Sequence, residues 1–314
     1  MGTTSIFSAI VIQPVNTWKT QRWKIIFIAS FIGTANLLLW VDPAVIEDQL
    51  GARQPSTIGH LVTGFLIGFG TKLGNGCTCG HGICGLSRLS RRSLATVLTF
   101  MGVGMATATL LSYEAVRSWT VLLFADFSST ATSNKEVALL VGFVPVSLAL
   151  FSIFTHRSKK TLGAIMSGAL FATGLAVSKM VLPNKVFGFL DLSRIPSGNY
   201  DPSLVTVMGS GLAIGLLGYQ YKAQHCEKKP LLADEYSIPC NTVIDLPLLL
   251  GSAIFGLGWG VHGVCPGPAM FSVAVGVPPM VLFWMPAYSV GCYLGSVAQD
   301  KVSVACDAHD KKAR

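Results

Sequence analysis

Long apolar runs alternate with short polar stretches along this chain. The runs cover residues 24–41, 57–73, 94–113, 137–154, 162–182, 204–221, 244–265 and 281–297. Only His60 and Lys72 interrupt the second. A helix crosses the hydrocarbon core with about 20 predominantly apolar residues, so the pattern predicts about eight or nine transmembrane helices. Shorter apolar pieces at residues 115–127, 186–192 and 269–279 fit re-entrant or interfacial half-helices better than full spans. Non-helical backbone at that depth has to be buried in protein or line a wet cavity.

Composition agrees with this pattern. Of 314 residues, 51% are hydrophobic and 12% are charged, with mean hydropathy +0.57. Soluble domains carry about 25% charged residues. A water-soluble enzyme of this size cannot cover its surface with so few. The expected fold class is an all-α polytopic membrane protein, one integral domain over residues 1–314 with pseudo-repeat halves at 24–155 and 161–298.

The net charge of +8 comes from short basic clusters between apolar runs. These include Arg88 with Arg91 and Arg92, Arg157 with Lys159 and Lys160, Lys228 with Lys229, and Lys311 with Lys312. Such clusters mark the cytoplasmic ends of spans, so they predict a topology and no nucleic-acid partner. Both termini are then cytoplasmic. The loops holding Asp42, Glu47, Asp48, Glu114, Asp126, Asp191 and Asp201 face out. Residues 5–15 are mildly apolar and interrupted by Pro14, which predicts no cleavable signal peptide. The simplest location is the plasma membrane, with the lipid bilayer as partner.

Two glycine-rich stretches are copies of one another. Gly68, Gly70 and Cys77 superpose on Gly256, Gly258 and Cys265 at an offset of about 188 residues. On the charge-based topology the copies have opposite orientation, which makes them an inverted repeat. Weaker copies occur at Gly168 to Gly174, followed by Met180-Val181-Leu182-Pro183, and near Gly33 with Asp42-Pro43-Ala44. Neither weaker copy keeps the cysteine.

The segment from Gly74 to Gly85 holds Cys77, Cys79, His81 and Cys84 among many glycines. So many glycines disfavour a lipid-facing helix and let backbone N–H groups approach a ligand. A helix beginning beside such a segment points its positive end there, which favours an anion. The cysteines add polarizable S–H donors. Soft-metal ligation by the Cys77–Cys84 cluster is an alternative, although the paired Cys-x-x-Cys arms of zinc sites are missing. At Cys265-Pro266-Gly267-Pro268 the prolines force a turn. The eight cysteines do not form the spaced framework of a secreted disulfide domain and are expected to be mostly reduced. His81 orients a thiol, contacts an anion or satisfies a loop carbonyl. Lys72 is the one charge inside its span, yet near enough to the end to snorkel.

From Gly68 through Cys77, Cys79, His81 and Cys84 to Ser90, the sequence resembles the sulfur-transport motif of the YeeE/YedE membrane proteins. Residues 187–192, 201–204, 255–260 and 265–268 are similar to motifs of that family's second half, and the likeness extends over roughly Gly33 to Gly295. The resemblance implies uptake of thiosulfate or a related small sulfur anion through an hourglass-shaped helical protein. It makes Cys77 and Cys265 relay thiols. Some members carry a further cysteine on an N-terminal repeat, where this chain has Asp42-Pro43-Ala44. A cytoplasmic sulfur-carrier protein is a partner implied by the family.

The sequence therefore predicts a membrane permease rather than an enzyme, with no cofactor. The substrate-contacting residues expected are Cys77, Cys265, Cys79, Cys84, His81, Gly76, Gly80 and Gly267. Lack of a Gly-x-x-x-x-Gly-Lys-Ser/Thr loop points to secondary or passive transport. The alternatives are a soft-metal transporter and a membrane thiol enzyme exchanging persulfide sulfur through Cys77.

Overall fold

The computed structural model describes residues 3–41, 55–113, 159–224 and 241–312. The expected span at 137–154, the short piece at 115–127 and the Asp42-Pro43-Ala44 end of the weakest repeat lie outside the described residues. Among the described residues the elements are helices. They are α1 (Thr3–Ile12), α2 (Pro14–Thr20), α3 (Arg22–Val41), α4 (Thr57–Leu73), α5 (Thr78–Gly85), α6 (Arg91–Leu110), α7 (Lys159–Val177), α8 (Pro183–Leu190), α9 (Ser203–Gln224), α10 (Leu246–His262), α11 (Pro266–Ala274) and α12 (Met285–Lys312). Among the described residues, five helices are long and apolar enough to cross a membrane, or six if α10 and α11, bent by 48° at their junction, form one broken span. The protein is an all-α polytopic membrane protein.

Start signals in the sequence set several helix ends. Ser56 accepts from Gly59 N at 3.0 Å to open α4, and Asp245 accepts from Leu248 N at 3.1 Å to open α10. These side chains satisfy amide groups that the first turn leaves without partners. Gly263 closes α10 at φ +72°, a left-handed angle that favours glycine, and its N–H donates to Trp259 O at 2.7 Å. Both α8 and α11 begin on proline, whose missing N–H costs nothing in a first turn.

Among the described residues a unit of long helix, tight turn and half-helix occurs three times: α4 to α5, α7 to α8, and α10 to α11. The residue before each half-helix is extended. It is Cys77 (φ −128°, ψ −172°), Leu182 (φ −91°, ψ 116°) and Cys265 (φ −83°, ψ 163°). The expected short pieces at 186–192 and 269–279 thus appear as half-helices, each starting three residues earlier, at its proline.

The glycine-rich segment differs from its expectation as a loop, because Thr78–Gly85 is itself a wide π-helical turn. It is stable because neighbouring protein encloses it: a Cβ at Gly85 would strike the Ser93 side chain, and one at Gly82 would lie 3.0 Å from Met208 Cε. Glycine costs helix propensity but permits this packing.

Helices α4 and α10 run antiparallel in close backbone contact. A Cβ at Gly70 would collide with Phe255 N, and one at Gly258 would lie 2.8 Å from Ile67 Cγ1. At the repeat offset these are one contact with the roles exchanged. The same holds for Thr63 against His262 (Oγ1 to Nδ1, 2.9 Å) and Gly251 against Gly74. Gly68 meets Tyr288 on α12 as Gly256 meets Phe100 on α6, both parallel pairings. The two copies of the glycine-rich stretch therefore pack as inverted equivalents. Phe255, Trp259, Trp284 and Tyr288 fill the space around them, each fully buried.

Candidate thiol constriction

Cys77 and Cys265 cap facing half-helices and are 1% and 2% exposed. Thr78, next to Cys77, places its side chain within hydrogen-bonding reach of both the Cys79 and Cys265 thiols. Cys79 in turn reaches the Cys77 thiol. Cys77, Cys79 and Cys265 therefore form one group, linked by Thr78. The Cys77 sulfur also faces the backbone N–H groups of Gly80 and Thr4. Thr4 stands in the first turn of α1, so the positive ends of α1, α5 and α11 all approach this point.

Different cavities lie on the two sides of this group. One is a polar vestibule of about 430 Å³ reaching Thr4, Lys24, Lys72, Gly76, Gly80, His81, Cys84, Arg88 and Arg92. No Asp or Glu is among its described lining residues. The other is an apolar chamber of about 200 Å³ that Thr78, Cys79 and Cys265 line together with Met180, Met208 and Trp259. Cys77 lines neither and lies buried between them. Polar access on one side and soft, apolar walls on the other make this group a constriction.

The remaining expected residues take several places. His81 is pinned at both ring nitrogens, Nε2 to Gly74 O at 3.2 Å and Nδ1 to Ser93 Oγ at 3.1 Å. A carbonyl only accepts, which puts the proton on Nε2 and leaves Nδ1 to accept from Ser93. Of the three roles open to His81, the loop carbonyl is the one this geometry displays. Gly76 lets the ring sit there, because a Cβ at Gly76 would lie 2.5 Å from His81 Cδ2. Gly80 lines the vestibule. Cys84 also lines it, near Arg88 and Tyr219. Gly267 lines neither cavity; a Cβ there would lie 3.0 Å from Phe171 Cζ, so it admits that ring against the start of α11. Among the described residues, no three His, Cys, Asp or Glu groups are placed to hold a metal ion.

Sequence reasoning missed Thr4, Thr78 and Lys24. The signal for α1 was present: Thr4, Ser5 and Ser8 share one side of an otherwise apolar helix and all line the vestibule. Thr78 sits between two cysteines, and its role depends on the approach of Cys265, which the local sequence does not show.

A model for a family of unknown function, DUF6691, matches residues 159–301. A probable transporter of Xylella fastidiosa strain 9a5c is 40% identical over 151 residues, which cover 48% of this chain and 97% of that protein. The chain belongs to the family of these probable transporters. A probable transporter of strain Temecula1 is 43% identical over 120 residues, 38% of this chain and 78% of its own length. A second one from that strain is 51% identical over 51 residues, 16% of this chain and 38% of its own. Nearly the whole of the 9a5c family member is thus spanned by about half of this chain.

Proposed function

We propose that this chain is a membrane transporter that passes thiosulfate or a related small sulfur anion through the constriction of Cys77, Cys79 and Cys265. One observation carries the reading. The two cysteines that recur in the repeat cap facing half-helices and converge between a cationic vestibule and an apolar chamber. The transporter relatives support the general class.

A dianion loses a large hydration energy on entering a site of low dielectric. Charge-assisted hydrogen bonds, each contributing about 1.5–3 kcal/mol, offset that loss only when several act together. The donors here are the thiols, the Thr4 and Gly80 amides and the Thr78 hydroxyl. Helix N-termini add about 0.3–1 kcal/mol each where exposed, and more when partly buried. In the chamber, the thiols and the thioethers of Met180 and Met208 suit a polarizable sulfur end better than a fully oxygenated anion. The inverted halves give each face of the constriction an equivalent half-helix, as alternating-access pathways use.

With the basic ends inside, the vestibule faces the cytoplasm, both termini are cytoplasmic, and a soluble sulfur carrier would receive the anion there. Thiosulfate uptake into proteoliposomes by wild type, Cys77→Ala and Cys265→Ala tests the reading. The adjacent Cys77 and Cys79 thiols also suit sulfur exchange; covalent sulfur trapped on Cys77 in mass spectrometry would replace the transport reading with that one.

A further inference from the structure

Lys24 is 5% exposed and lines the vestibule, as does half-buried Lys72. Their ammonium charges are close enough to repel one another. Among the described residues neither forms an ion pair. The Lys24 ammonium lies over the face of Trp23, 5.8 Å from the ring centroid. Arg92, on the same cavity, is already held by Asp245 at 3.8 Å and by the Val243 carbonyl. A third polar group joins the lysines: the Thr4 hydroxyl is 3% exposed, makes no hydrogen bond to a nitrogen or oxygen among the described residues, and has only the Cys77 thiol within reach.

Two mutually repelling cations and a buried hydroxyl with no oxygen or nitrogen partner line one cavity, an unfavourable arrangement without an anion. An anion with two negative charges removes the repulsion and engages all three. Lysine suits this task as a compact point charge with several donors. Gly76, Gly80 and Ser8 line the same cavity, whose volume of about 430 Å³ leaves room for a small tetrahedral ion.

We propose that Lys24, Lys72 and Thr4 form a binding site for a small divalent oxyanion of the sulfate and thiosulfate class, distinct from the thiols and adjoining them. This deepens the transport reading by naming a dianion station on the same pathway. The station reads charge, and the thiol constriction reads sulfur. Sulfate, which lacks a soft terminal sulfur, binds at the lysines from the vestibule and does not cross the thiol constriction.

Equilibrium binding of radiolabelled sulfate and thiosulfate to the purified full chain in detergent tests it. Lys24→Gln with Lys72→Gln weakens both ligands by about tenfold or more, as loss of charge-assisted contacts requires. Lys24→Arg with Lys72→Arg restores binding to within about threefold, which separates charge from folding. Cys77→Ala lowers thiosulfate uptake by about tenfold or more and keeps sulfate binding. Chloride at equal ionic strength does not compete. Wild-type sulfate binding by the glutamine double variant, or loss of sulfate binding in Cys77→Ala, overturns the proposal. Failure of the transport reading looks different: sulfate binding stays lysine-dependent while no thiosulfate enters proteoliposomes.

Discussion

The Thr78 side chain lies within hydrogen-bonding reach of the Cys265 thiol, joining the first turn of one half-helix to the residue that caps the opposing one. The same side chain reaches Cys79. A hydroxyl bridging two thiols across the repeat interface holds the constriction in register. Thr78→Val keeps the shape and removes the bridge. The expected result is a stability loss of about 0.5–1.5 kcal/mol, the net contribution of one intramolecular hydrogen bond, with thiosulfate uptake reduced several-fold and KM raised. Thr78→Ser restores uptake. Initial-rate uptake across substrate concentrations checks this.

Close backbone approach of α4 and α10 demands glycine at the contact. Gly70→Ala puts a methyl group into Phe255 N, where nothing flexible can yield. It should destabilise by about 1–3 kcal/mol. Gly258→Ala, its counterpart, meets the Ile67 side chain, which can shift, so its cost is smaller. Gly174→Ala faces open space and is expected neutral or stabilising by about 0.5–1 kcal/mol, because alanine favours helix. Thermal unfolding of the three variants in one detergent gives the order.

Much of this was legible in the sequence. The apolar runs gave the helices because few residues break them, and the Gly68/Gly256 offset revealed a repeat that packs as inverted equivalents. The half-helices were legible as short apolar pieces at 186–192 and 269–279, but their starts at Pro183 and Pro266 were not, because proline reads as a break as readily as a first helical position. The helix at Thr78–Gly85 was not, since its stability comes from Ser93 and Met208, far along the chain, and not from propensity. Thr4 escaped for the same reason. Its role exists only because α1 folds back over Cys77.

His81 belongs to the framework of the constriction. Replacing it with alanine leaves Gly74 O and Ser93 Oγ without their ring partners. A buried polar group left unpaired costs about 1–3 kcal/mol. His81→Ala should therefore lower the unfolding temperature, and uptake should fall in proportion to folded protein with KM unchanged. A large KM increase at full stability would instead make His81 a direct anion ligand.

On the loop before α9, Asp201 accepts from Lys185 Nζ at 2.7 Å and from Ser203 N at 2.9 Å. The Lys185 ammonium, with help from Ser203, holds its carboxyl down to about 2. An unfolded aspartate titrates near about 3.9. The folded carboxylate is therefore favoured above about pH 4, and its contribution is lost as pH falls from there toward 2. Both side chains are partly exposed, so the effect is of the order of about 0.2–1 kcal/mol. Asp201→Asn should flatten the wild-type loss of stability between about pH 4 and pH 2. Unfolding temperature against pH for the two proteins checks this.

The central claim is that Cys77 and Cys265 serve one anion pathway. Its most direct measurement is thiosulfate uptake into proteoliposomes by Cys77→Ala and Cys265→Ala, with Cys292→Ala as the control. Cys292 is also buried, but its thiol donates to Gly68 O at 3.5 Å and lines neither the vestibule nor the chamber. The account predicts a loss of about tenfold or more for Cys77→Ala and for Cys265→Ala, from removal of one thiol donor each, and uptake within about threefold of wild type for Cys292→Ala. Wild-type thiosulfate uptake by both Cys77→Ala and Cys265→Ala would contradict it.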